Sequence, residues 1–238
     1  GGAPGNGTSH GVDVSADGSV VAFGSAASNL IPGGTSTFDI YVRDRDAGTT
    51  ELISVSTAGD SGSSTSMWPS VSADGSRVAF HSIANNLVPG DDNGNADVFV
   101  RDRATGTTTL VSRATDGTAA TGRSERAEIS ADGRHVVFTS GATDLVPGVP
   151  AGVGQVYVHH LETGEIELVS RSSSGEPASL TASEPSISSD GRYVAFRSFA
   201  QNLDDEFCYI FVRDLVAGST SAIPTSTSVQ AAGPAISG

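Results

Sequence analysis

The densest run of metal-binding oxygens in the chain is Gly90-Asp91-Asp92-Asn93-Gly94-Asn95-Ala96-Asp97. Its alternate positions Asp91, Asn93, Asn95 and Asp97 offer four side-chain oxygens around a glycine that permits a sharp turn, and Ca2+ takes about 6–8 oxygens. The run is therefore a candidate calcium site, although it lacks a closing bidentate glutamate. The competing expectation is an Asx-rich turn without metal. The histidines offer less. His10, His81, His135, His159 and His160 show neither His-x-x-x-His nor His-Glu-x-x-His spacing, so no helical zinc site is indicated. Gly59-Asp60-Ser61-Gly62-Ser63 does not fit the Gly-x-Ser-x-Gly elbow of a serine nucleophile. The lone cysteine, Cys208, lies in the apolar run Phe207-Cys208-Tyr209-Ile210-Phe211 and is expected to be an inert core residue.

Charge narrows the partners. The formal net charge is -14, from 27 carboxylates against 13 basic residues, all of them arginine. No basic stripe is available to neutralise phosphates, so nucleic acid is excluded as a partner. An anionic membrane surface is disfavoured for the same reason. No apolar run reaches the length of a membrane span, so no membrane insertion is expected.

The elements that must position these residues are set by a repeat. Ser-Ala/Ser-Asp-Gly occurs at residues 15–18, 72–75, 130–133 and 188–191, at spacings of 57, 58 and 58 residues. In phase with it run Tyr41-Val42-Arg43-Asp44, Phe99-Val100-Arg101-Asp102 and Phe211-Val212-Arg213-Asp214, which becomes Tyr157-Val158-His159-His160 in the third repeat. Turn glycines Gly48, Gly106, Gly164 and Gly218 keep the same beat. Each repeat holds four short runs rich in β-branched and aromatic residues, bounded by Asp-Gly and Thr-Gly or Ala-Gly turns. They are too short for helices and predict four-stranded antiparallel blades at about residues 11–56, 69–113, 127–171 and 185–224. The fold class expected is an all-β propeller of four full repeats. Pro234-Ala235-Ile236-Ser237 matches Pro185-Ser186-Ile187-Ser188, so residues 234–238 are expected to start a further blade.

In such a meander the tight turns lie at one end of each blade and the long connections at the other. Residues 82–96 and 113–126 are long connections, and this looped face is the expected ligand face. Trp68 (the only tryptophan), His81, Asp92, Arg123 and Arg126 are its candidate ligand residues. The loop pattern Ser25…Asn29-Leu30, Ser82…Asn86-Leu87, Ser140…Asp144-Leu145 and Ser198…Asn202-Leu203 recurs in every repeat and reads as structural. The turn aspartates Asp17, Asp74, Asp132 and Asp190 read the same way.

The motifs, from about Val12 to Ile223, resemble the WD40-like, TolB-type (PD40) β-propeller repeat: Pro-x-hydrophobic-Ser-x-Asp-Gly, then hydrophobic-Ala-Phe, an aromatic strand and Thr-Gly. The resemblance implies a propeller fold and a secreted, periplasmic or extracellular setting. Such repeats serve adaptors, peptidase gating domains and lyases alike, and fold alone does not choose among them. Three functions follow as expectations: a secreted binding module for a protein or carbohydrate ligand on the looped face; a lyase- or hydrolase-type enzyme with its site at the central channel; or a structural segment. Completion by further sequence, or self-association through a second chain, is expected to give a larger propeller of roughly six to eight blades; a closed four- or five-fold ring is the alternative.

Overall fold

A computed structural model describes residues 4–35, 37–203, 209–224 and 235–236. The expected site of Cys208, and most of the 234–238 segment, lie outside them. The described chain forms sixteen strands in four antiparallel sheets, each a simple meander in chain order. Blade 1 holds β1 (Ser9–Val14), β2 (Val20–Ser25), β3 (Asp39–Asp44) and β4 (Thr49–Leu52). Blade 2 holds β5 (Ser66–Val71), β6 (Arg77–Ser82), β7 (Asp97–Asp102) and β8 (Thr107–Leu110). Blade 3 holds β9 (Ser124–Ile129), β10 (His135–Ser140), β11 (Gln155–His160) and β12 (Glu165–Leu168). Blade 4 holds β13 (Ala182–Ile187), β14 (Tyr193–Ser198), β15 (Ile210–Asp214) and β16 (Ser219–Ile223).

The Ser-x-Asp-Gly turns close on themselves. Ser72 donates to Asp74 Oδ1 at 2.6 Å, and the amide of Ser76 donates to the same oxygen at 3.0 Å. The equivalent Asp17 is held down at about 2 by donation from the Ser19 amide and then the Ser15 hydroxyl. Packing between blades follows strand alternation. Val78 and Phe80 face blade 1, joining Val20, Ala22 and Ile40 in one cluster. Ala79, on the opposite face, joins Ala127, Ile129 and Phe138 of blade 3 in the next. Val137 meets Ile187, Val194 and Phe196 of blade 4 in the third. Within each sheet the aromatic pairs Phe80–Phe99 and Phe138–Tyr157 stack, with centroids 5.8 and 5.7 Å apart.

A polar ladder ties the inner strands together. The Val71 amide donates to Asp13 Oδ2 (2.8 Å), the Ile129 amide to Ser70 Oγ (3.2 Å) and the Ile187 amide to Glu128 Oε1 (3.0 Å). The amide of Ile236 continues the series on Ser186 Oγ at 3.3 Å. At the other end Val12 and Val14 are 71% and 51% exposed.

The inner strands begin two or three residues before the expected blade boundaries. The cause is a register shift in each of them, between His10 and Val12, Met67 and Ser70, Glu125 and Val137's partner Glu128, and Ser183 and Ser186. The apolar pattern starts only after this bulge, so the first half of each strand is silent in hydropathy.

Candidate functional site

The four inner strands β1, β5, β9 and β13 line an open groove of about 660 Å3. Its walls carry Asp13, Trp68, Arg126, Glu128 and Glu184. The bulges put one residue per blade into the left-handed region: Gly11 (φ 63°), Trp68 (φ 54°), Arg126 (φ 56°) and Glu184 (φ 53°). Glycine adopts this conformation without steric cost. For other residues it costs about 1–2 kcal/mol. Blade 1 therefore shows the residue the backbone prefers, and blades 2–4 hold side chains there against that preference. The three are the only non-glycine residues at positive φ among the described residues.

Opposite the bulges, the second strands present Gly24, His81, Thr139 and Arg197, which pair with His10, Met67, Glu125 and Ser183. The bulge disrupts the ladder here, and among the described residues three buried polar atoms have no hydrogen-bond partner: His81 Nδ1, Thr139 Oγ1 and Glu184 Oε2. Burial is the main force on His81, holding it at about 4 and so neutral near pH 7; the nearby Glu125, Arg123 and Arg126 act on it more weakly. Glu184 faces Arg197 at 3.9 Å, and Arg197 lies over the Phe199 ring at 5.0 Å.

Asp13 and Glu128 are already engaged. The two oxygens of Asp13 accept from the amides of Val14 and Val71. Glu128 Oε1 accepts from the Ile187 amide and the Ser186 hydroxyl, and burial raises its carboxyl above the usual range.

The structure thus brings together four of the five expected ligand-face residues. Trp68 and Arg126 lie on the groove wall, His81 stands behind them, and Arg123 pairs with Glu125 at 2.6 Å beside them. Trp68 is 54% exposed. Asp92 belongs elsewhere, next to Asp91 in the connection between β6 and β7. Glu184 was not anticipated. The signal for it was the alignment of residues 11, 68, 126 and 184, one position of variable type ahead of a repeated flank.

The oxygen-rich run at residues 91–97 has a different geometry. Asn93 donates its amide to Asp97 Oδ2 and to the Ala120 carbonyl, both at 2.7 Å, and Asn95 donates to the Thr121 carbonyl at 3.0 Å. Asp97 Oδ1 accepts from Ser112 at 2.6 Å. That last bond recurs as Ser54 to Asp39 and Ser170 to Gln155, so the position works with a neutral amide too. Asp91 is buried without a hydrogen bond to its carboxylate among the described residues, and burial, then Asp97 and Asp92, push it up to about 6. No group of three or more His, Cys, Asp or Glu suited to a metal occurs among the described residues.

Comparison with solved structures places this architecture. TolB from Acinetobacter baumannii matches with a TM-score of 0.53 and 19% identity over 91% of this chain and 43% of its own. The β-propeller domain of the Trilobed protease from Pyrococcus furiosus gives 0.57 and 12%, over 95% and 60%. Oligogalacturonate lyase from Vibrio parahaemolyticus gives 0.54 and 12%, over 92% and 54%. The fold is a β-propeller. The chain spans about half the length of those structures. No protein-family model matches it, and no curated protein matches it. At these identities the likeness is one of fold.

Proposed function

We propose that the chain is a protein-binding module, and that its partner docks a polypeptide segment on the looped mouth of the inner-strand groove. The observation that carries this is a set of half-exposed apolar side chains, one on the groove wall and three at the looped ends of strands. Trp68 stands on the groove wall, Ile83 and Phe199 directly follow β6 and β14, and Leu180 lies two residues before β13. They sit at the looped ends of the first two strands of their blades, nearest the groove. Exposed large apolar groups gathered on one face, with tryptophan and arginine among them, are the composition of a protein interface. Aliphatic Ile83 and Leu180 favour a polypeptide over a sugar, whose polar hydroxyls they would leave unpaired.

Trp68 supplies its own assay, since it is the only tryptophan. Random dodecamer peptides displayed on phage are selected against the wild-type chain. Peptides that bind should shift Trp68 emission to the blue, and Trp68→Ala should abolish their capture while leaving the circular dichroism spectrum unchanged. Selected peptides that bind Trp68→Ala as well as wild type would refute docking at this mouth.

A further inference from the structure

We infer that Arg126 is the anchor for a carboxylate on the docked polypeptide and sets the specificity of the groove; this rests on the docking proposed above. The chain has 13 arginines. Twelve of them make a hydrogen bond or an ion pair within the described residues. Arg126 makes neither, and it is exposed. Shortage of partners does not explain this, because carboxylates outnumber arginines 27 to 13. The carboxylates of the groove wall have other partners: Asp13 and Glu128 accept backbone amides, and Glu184 lies opposite Arg197. Arg126 therefore brings a guanidinium that no described residue bonds to a wall whose other charged residues are acidic.

The backbone sharpens the point. Arg126 holds the left-handed conformation, φ 56°, that glycine occupies in blade 1. A long, charged side chain is the costly choice at that place, and no described residue bonds its guanidinium. A guanidinium presents a planar fork of donors that matches a carboxylate in two parallel hydrogen bonds. With Trp68 on the neighbouring blade of the same groove, the complementary ligand carries a carboxylate next to an apolar or aromatic side chain. The carboxylate comes either from an Asp or Glu side chain or from a chain terminus.

The test uses the same random dodecamer phage library, selected in parallel on wild type, Arg126→Gln and Trp68→Ala. Displayed peptides have no free C-terminus, so enrichment of Asp or Glu beside apolar residues in the wild-type pool reads the side-chain source. Synthetic copies with free and amidated C-termini read the terminal source. A wild-type consensus peptide should lose at least tenfold in affinity for Arg126→Gln. Its Glu→Gln analogue should bind wild type and Arg126→Gln equally, and raised salt should weaken only the charged pair. Arg126→Lys, which keeps the charge but not the fork, should recover part of the loss. Peptides that depend on Trp68 yet show no acidic preference and no response to Arg126→Gln would overturn the carboxylate anchor and leave docking intact. A library giving no Trp68-dependent binder would overturn docking, and the anchor with it.

Discussion

Asp91→Asn should stabilise the protein. Asp91 is buried, its carboxylate accepts no hydrogen bond among the described residues, and its pKa is raised from 3.8 to about 6. The folded state thus holds the proton more tightly than the unfolded chain does. The sign follows: the group has no effect on stability below the unfolded value of 3.8, and stability is lost as pH rises from there to about 6, above which the loss is complete. At about 1.36 kcal/mol per pKa unit, the ionised side chain costs roughly 3 kcal/mol at pH 7.5. Asparagine keeps the shape and removes the charge, so a gain of about 1–3 kcal/mol is expected, the lower end applying if water relaxes around the carboxylate. For a chain of this length each kcal/mol moves Tm by roughly 2–4 °C. Melts at pH 7.5, 5.0 and 3.5 decide it: the variant should melt higher at pH 7.5, about half of the gap should remain at pH 5.0, and it should all but close at pH 3.5. A variant that melts lower, or a gap that ignores pH, would refute the reasoning. Calcium in the same melts separates the two accounts of the loop. A calcium-dependent rise in wild type, absent in Asp91→Asn, assigns the loop to a cation; no rise assigns it to its internal Asx hydrogen bonds.

Four further outcomes are expected. Ser112→Ala removes both the donor to Asp97 and the acceptor of the Val98 amide, and should cost about 3 kcal/mol in urea denaturation. His81, held at about 4 by burial, should make the protein lose stability as pH falls from 6.5 towards 4, and His81→Phe should flatten that limb. Trp68→Gly, Arg126→Gly and Glu184→Gly should each hold or raise Tm, by up to about 1 kcal/mol of stability, while peptide capture is lost with the first two. With Val12 and Val14 exposed on the first inner strand, the 24.0 kDa chain should self-associate in light scattering, and Val12→Lys with Val14→Lys should reduce it to a monomer; a wild-type monomer would refute this.

Much of the fold was legible because its determinants are local. Asp-Gly turns, aromatic strands and the 57–58-residue beat each report on nearby backbone, and together they gave the blade, its strand order and its two unlike ends. The bulge was not legible. A register shift leaves no hydropathy mark, and Trp68, Arg126 and Glu184 gave no sign that they sit at positive φ, a conformation glycine usually announces. Spacing alone does not distinguish groups that converge on an ion from groups that bond one another at residues 91–97; Asn93 donates to Asp97 and to the Ala120 carbonyl of the next connection, and the calcium melts decide between the two accounts.

The repeat also supplies an internal control for what departs from it. Where Arg43, Arg101 and Arg213 become His159, the partner changes in step: Thr50, Thr108 and Thr220, which the arginines bond, become Ile166. That departure changes both members of the pair together, although His159 Nδ1 is buried with no hydrogen-bond partner among the described residues. The bulge row differs in the same way only in part. Gly11 faces a strand carrying Gly24, and Glu184 is matched by Arg197, so those two blades are balanced. Arg126 stands across from a strand carrying Thr139, whose hydroxyl has no hydrogen-bond partner among the described residues, and Trp68 lines the groove with its ring 6.3 Å from that of His10. Blade 3 therefore carries, at a position where the backbone favours glycine, a side chain that no described residue bonds. The ligand proposed above would offset that backbone cost by engaging Arg126 together with Trp68, which is what the parallel selections on the two variants test.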